Sequence, residues 1–451
     1  MANPNKNLLL NYALVTLSLS LFLLVFEFSK QEVNGFVLLA AGLMALIFFI
    51  FNRVLLVAIF IALSFFDFTI EGLTYFKLLG YLLLVVLVIQ VLMRQIHVDF
   101  TNRLILLLIA IFLASVAGQL INGVFVPVIL SKLLMVFAMM LSISMLITRL
   151  DDLKFVLWML TIAGMVAALV TIHEVILNPD IRRIEGSLGN PNNTAAIFCM
   201  LLPFSTVLMQ QKNRWRAIMY SALVVSLLLT AVFVTASRGA LLSLTAIAST
   251  ALLLFKLKGK IVTISLVLFS ALILFVLVDN FQRLNRFDEI VRSDNVLEVR
   301  SVQQRLEITA IGLQLFLENP IWGVGAGSFR SETKDMETES LGYLYGGIAP
   351  HNMYTQILAE LGIIGFFLFG WFYFTIFQYI FIGMRHENPE INRVAKMLLF
   401  SFIAIMVSMG TSGNYNKVFI YIIAGFALVL RNVSTAHTLA ASRTHLKLAS
   451  R

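Results

Sequence analysis

Apolar residues run in blocks of about twenty, separated by short polar breaks, from Leu8 to Leu430. One polar interruption, from Asp279 to Asn352, is long. A hydrocarbon core of about 30 Å takes about 20 apolar residues in an α-helix, and only helices and closed barrels satisfy their own backbone in lipid. The pattern predicts an all-α, polytopic integral membrane protein. Candidate spans fall at about 8–27, 33–51, 54–69, 74–93, 104–120, 128–148, 155–177, 194–209, 217–235, 239–255, 261–278, 353–383, 395–410 and 418–430. Only Asn52 and Arg53 divide the second from the third, so the expected count is about 12–14 transmembrane helices.

This divides the chain into an N-terminal transmembrane bundle (1–278), one long extracytoplasmic loop (279–352), C-terminal transmembrane helices (353–430) and a basic cytoplasmic tail (431–451). Within the loop Val302, Leu306, Ala310, Leu313 and Leu317 recur at helical spacing and predict an amphipathic helix, which Glu318, Asn319 and Pro320 end. Such a helix packs across the outer ends of the spans or lies in the interface. No internal repeat is visible.

Composition narrows the class. Of 451 residues 60% are hydrophobic and 13% charged, with mean hydropathy +0.92, which excludes a soluble enzyme and a disulfide scaffold. Cys199 is the only cysteine and lies in an apolar run, so it forms neither an internal disulfide nor a cysteine-based zinc site. The net charge of +9 gathers in no basic patch interleaved with aromatics, so no nucleic acid is expected. With the N-terminus inside, 19 of the 33 Lys and Arg fall on the cytoplasmic side. Seven fall in the other short loops: Lys30, Lys77, Lys132, Arg182, Arg183, Arg238 and Lys417. That bias sets the orientation and places the loop outside, with seven basic and eleven acidic residues.

Ionisable groups at membrane depth are costly and mark function. Four segments on the outer side hold them: His173–Asn193, Thr235–Ala240, Asn319–Phe329 and Pro350–Gly362. In the first, Arg182 and Arg183 precede a Gly- and Asn-rich turn entering a helix, whose N–H groups can face an anion; solvated loop arginines are the plain alternative. Arg238 sits in a connection too short to let it leave the bundle, and could otherwise be a snorkelling anchor. Gly323, Gly325 and Gly327 follow Pro320 rather than a strand and lack a Walker lysine, so they read as a turn seating the loop helix. Asp151 and Asp152 read as a solvated helix start on the cytoplasmic side. Asn352, Gln356 and Glu360 repeat at i, i+4 and i+8, which gives the entering helix a polar face and suggests a cavity around Glu360. His351 stands at its mouth. No outer cluster offers three metal ligands, the acidic stretch Asp335, Glu337 and Glu339 reading as solvated, so no metal and no cofactor are expected.

At these residues the chain resembles the bacterial O-antigen ligase and O-antigen polymerase superfamily. NPIWGVGAGSF followed by PHNMYTQILAELGIIG resembles its signature. Arg183, Gly186, Asn190, Pro191 and Asn192, and Ser237, Arg238 and Gly239, resemble two upstream motifs; the likeness covers about 155–380. The resemblance implies a metal-independent membrane glycosyltransferase at the outer face of the cytoplasmic membrane. Its donor would be a glycan on undecaprenyl diphosphate, and its acceptor a hydroxyl of lipid A core or of a lipid-linked repeat unit. It implies that Arg183 and Arg238 hold the diphosphate and His351 serves the acceptor; Asn352, Glu360, Arg182 and Arg305 are further candidates for supporting roles. Residues 1–150 carry no matching motif.

The chemistry agrees. Arginine forks bind phosphate by charge-assisted, bidentate hydrogen bonds, and a histidine of ordinary pKa about 6.5 can take a sugar hydroxyl's proton at neutral pH. Ligase is the preferred expectation and polymerase the alternative. A lipid-glycan flippase or transporter would need no histidine at the outer rim and would show inverted repeats or broken helices; a purely structural partner would need no buried charges. The glycine run is also expected to be the flexible joint of a lid formed by the loop.

Overall fold

The computed structural model describes residues 53–66, 69–70, 73–74, 80, 87–88, 91, 99–178, 184–210, 214–254, 300–334, 336–338, 342–343 and 347–449. Helix α1 (Arg53–Leu63) and a hairpin, β1 (Thr69–Ile70) with β2 (Leu73–Thr74), precede α2 (Arg103–Ile121), α3 (Pro127–Leu146) and α4 (Leu150–Leu177). There follow α5 (Pro191–Leu201), α6 (Arg214–Val234), α7 (Arg238–Leu254) and the loop helix α8 (Arg300–Glu318). A short turn of helix, α9 (Phe329–Glu332), and a second hairpin, β3 (Glu337–Thr338) with β4 (Gly342–Tyr343), lead to α10 (Met353–Met384), α11 (Pro389–Ser412) and α12 (Val418–Ala449). The all-α membrane architecture expected from the pattern is present, the two-residue strands being the only ones among the described residues. Seven helices there are long and apolar enough to cross a membrane, lying in α2, α3, α4, α6, α10, α11 and α12. The candidate spans at 8–27, 33–51 and 261–278, most of 74–93, and loop residues 279–299 lie outside the described residues.

Asparagine caps four of these helices. Asn102, Asn352 and Asn388 each accept a hydrogen bond from the backbone N–H two residues on, and Asn190 accepts from both Asn192 and Asn193. Pro191 and Pro389 stand at the first helical position, where a missing N–H costs nothing. One expected span is corrected. The run 194–209 is α-helical only to Leu201 and continues as a tighter 3₁₀ helix, Leu202–Gln210. Pro203 removes the N–H that would continue the α ladder, and eleven residues of α-helix reach only about 16 Å.

Helices α10, α11 and α12 form the centre, with α2, α3 and α5 packed on them and α4 and α6 outside. Phe198, Phe204, Phe369, Phe372, Tyr421 and Phe426 are fully buried there. Leu106, Leu113, Phe367, Trp371 and Phe374 are exposed. Without a hydrophobic drive between helices in lipid, close packing and interhelical hydrogen bonds hold the bundle. Ser401 Oγ donates to Met200 O at 2.7 Å, Ser243 Oγ to Ala404 O at 3.0 Å and Tyr354 Oη to Met406 O at 3.0 Å.

Helix α10 is broken. Gly362 has φ 62° and ψ −159°, which interrupts the ladder inside an apolar span. The segment just after α8 repairs it. Ile363 N–H donates to Pro320 O at 2.9 Å and Ile364 N–H to Ile321 O at 3.4 Å, while Val324 N–H donates to Ala359 O at 2.9 Å and Gly325 N–H to Glu360 O at 3.0 Å. Irregular backbone at membrane depth is tolerated only when such groups are satisfied by protein, and here a loop strand supplies the missing turn.

Candidate functional site

The end of the bundle that carries α8 holds the four polar segments, joined in two clusters, Thr235–Ala240 with His173–Asn193 and Asn319–Phe329 with Pro350–Gly362. Residues 184–189 turn over the end of α4, where Glu174 Oε2 accepts from Gly186 N–H at 3.0 Å and Thr194 Oγ1 donates to Glu185 O at 2.8 Å. Gly186 has φ 68°, and a Cβ there would meet Thr194 Cγ2 at 2.6 Å, so only glycine fits between α4 and α5. Arg182 and Arg183, just ahead of this turn, lie outside the described residues.

Ser237 Oγ donates to Asn192 Oδ1 at 2.9 Å and locks the turn before α7 to the first turn of α5. Ala236 takes the left-handed conformation, φ 49°, and Arg238 then opens α7 half-buried. Gly239 backs directly onto Thr411 at the end of α11. From the connection between α11 and α12, Lys417 Nζ donates to Asn193 Oδ1. Burial pulls the Lys417 ammonium down to about 8. A lysine and an arginine thus flank the N-terminal turn of α5, whose dipole is itself positive. Repulsion between such groups falls when an anion sits among them.

The second cluster is closed. Glu360, 1% exposed, accepts from Gly327 N–H at 2.7 Å and Tyr415 Oη at 2.6 Å on one oxygen, and from Gln356 Nε2 at 3.0 Å on the other. The polar face expected along α10 is present, but these donors occupy the Glu360 carboxylate in place of the anticipated cavity. Tyr415 is fully buried, and burial together with the neighbouring Glu360 carboxyl holds its phenol well above the usual range. Asn352 serves as the cap of α10, and His351 is exposed one residue earlier, at the rim. Arg305 is half-buried on α8, which packs against α10.

The glycine run is no hinge. Gly323, Gly325 and Gly327 all have positive φ, and the first two are buried. A Cβ on Gly323 would stand 2.4 Å from the Glu360 carbonyl carbon, and one on Gly325 2.7 Å from Val124. From α2, Gln119 Nε2 donates to Ala326 O at 2.7 Å and Asn122 Nδ2 to Gly323 O at 3.0 Å. Glycine is required because backbones touch, and the run seats the loop on the bundle, as its turn reading anticipated.

Sequence reading missed Lys417, Tyr415, Gln119, Asn122 and Glu174. For Lys417 a signal existed, since it is one of only seven basic residues in the short outer loops. Gln119 and Asn122 carry no local mark.

Residues 222–370, about a third of the chain, match the family described as O-antigen ligase. That segment contains Arg238, the glycine run, His351 and Glu360. No curated protein matches the chain.

Proposed function

We propose that this chain, whose residues 222–370 match the family described as O-antigen ligase, is itself an O-antigen ligase. It takes a glycan from undecaprenyl diphosphate and joins it to a hydroxyl of lipid A core at the outer face of the cytoplasmic membrane. The observation that carries this reading is the Ser237 to Asn192 hydrogen bond. It ties the residue before Arg238 to the first turn of α5, to which Lys417 also donates through Asn193. Two cations and a helix dipole at one spot suit a diphosphate, and the exposed apolar surface leaves the donor's tail in lipid.

In the proposed reaction the acceptor hydroxyl oxygen attacks the anomeric carbon in line. The carbon to phosphate-oxygen bond breaks with its electron pair going to the diphosphate, and the configuration inverts. The hydroxyl proton passes to the imidazole of His351. Arg238 and Arg183 stabilise the departing charge, and no step calls on a metal, so EDTA is expected to leave transfer intact.

The broken α10 is the feature a transporter would share. Its freed backbone groups are spent on residues 320–325 and present no row of carbonyls to a passing solute, which favours the enzyme. The test is purified protein given a lipid-linked glycan and lipid A core. Covalent product in the wild type and its loss in R238A support the proposal, whereas translocation without product refutes it. Deleting the gene separates the two enzymes, unattached long chains meaning ligase and single repeats meaning polymerase.

A further inference from the structure

At the opposite end of the bundle a cavity of 530 Å³ opens between the start of α2, the last turns of α10 and the middle of α12 at Arg431. Its polar wall holds Arg103, Arg431 and Thr101, and its apolar wall holds Phe381 and Ile382. Arg431 lies over the Tyr379 ring at 5.0 Å, and Tyr379 Oη donates to Asn102 Oδ1 at 3.3 Å, so the guanidinium is held in place. Arg385, outside the lining, stacks 4.2 Å over the ring of the lining residue Phe381. None of these three arginines forms an ion pair with a described residue. The charge of Asp99 reaches Arg431; Asp99 is exposed and accepts from Thr101 N–H at 3.1 Å. Arg103 and Arg431 are the charged residues of the lining among the described residues, and both are cationic.

The apolar wall identifies the class of occupant. Phe381 and Ile382 are 37% and 51% exposed on a helix that crosses the membrane. A soluble anion would leave that wall wet, whereas a lipid places its phosphate between the arginines and its acyl chains along Phe381 and Ile382. The end in question carries the Lys- and Arg-rich loops that read as cytoplasmic, the leaflet side on which anionic lipids attract basic residues.

We infer that this cavity is a binding site for the headgroup of a net-anionic phospholipid, distinct from the candidate transfer site and independent of the reaction proposed for it. The shared chemistry with a free phosphate ester is separated by experiment. Full-length protein is reconstituted in nanodiscs of phosphatidylglycerol and phosphatidylcholine, and the lipids it retains on extraction are counted by native mass spectrometry. Wild type is expected to keep phosphatidylglycerol in preference, by about fivefold per arginine, and R103Q/R431Q to lose that preference, with R103K/R431K keeping most of it. An equal preference in wild type and R103Q/R431Q, or none in wild type, would overturn the inference. So would stabilisation of the protein in phosphatidylcholine discs by glycerol phosphate to the extent that phosphatidylglycerol achieves. If the double variant does not fold, R103Q alone is decisive, because that side chain is exposed.

Discussion

Tyr415 donates to Glu360 at 2.6 Å, and this one bond ties the connection that ends in Lys417 to the helix that begins beside His351. The proposed donor cations and the proposed base thus sit on elements joined through a buried carboxyl group. E360Q replaces one acceptor oxygen by a donor, leaving Gly327 N–H, Tyr415 Oη or Gln356 Nε2 unmatched. An unmatched buried group costs about 1–3 kcal/mol. E360Q and Y415F are each expected to lower the thermal unfolding midpoint, and their effects should not add, because both act on one bond. Full additivity in a double-mutant cycle would show that the bond contributes no coupling.

Gly323 and Gly362 meet backbone to backbone. G323A and G362A place a Cβ against the Glu360 and Ile321 carbonyl groups and force a side chain into positive φ, which alone costs about 1–2 kcal/mol. Both variants should give less folded protein in detergent, measured by monodisperse yield. Wild-type yield from either would return the run to the hinge role.

Arg238→Lys keeps the charge and loses the planar fork. Transfer by R238K should fall clearly and by R238A further, with membrane insertion unchanged, and R183A should behave alike. Wild-type rates in both alanine variants would remove the donor clamp from the mechanism.

His351→Ala should cut the rate by about 10²–10⁴, the usual worth of base catalysis, with little effect on stability because the side chain is exposed. A folded H351A protein with near-full transfer would exclude the imidazole as base.

Lys417 gives a pH signature. Its ammonium, lowered from the ordinary 10.5 to about 8, is neutral in the free enzyme above that pH, so kcat/KM should decline as pH rises through about 8. K417Q should lack this limb and bind donor more weakly at pH 7. Stability moves the other way: between about 8 and 10.5 the unfolded chain binds the extra proton, so raising pH through that window favours the folded state. An unchanged alkaline limb in K417Q would dissociate Lys417 from the donor.

What could be read in the sequence was what repeats locally. Apolar block length set the ends of α3, α6, α7 and α10 to within about three residues, the 302–317 periodicity set α8, and the four-residue spacing put Gln356 and Glu360 in contact. The failures share a cause. Lys417 and Asn193 lie 224 residues apart, Gln119 and Ala326 lie 207 apart, and neither pair has any local pattern. A glycine's positive φ serves a hinge and a locked crossing equally well, and only the residue packed against it decides. The 3₁₀ continuation after Leu201 was hidden because Pro203 sits in an otherwise apolar run.

The broken span has a consequence for how the chain is assembled. Ile363, Ile364, Ala359 and Glu360 depend on residues 320–325 for backbone partners, and each such group left bare in hydrocarbon costs several kcal/mol. The supplying segment is synthesised before α10, yet by the proposed topology it must first cross to the far side of the membrane. Translocation of the loop therefore precedes completion of the helix that follows it. A chain stalled between the two steps would hold a half-finished span at Gly362, with its backbone groups unpaired in lipid.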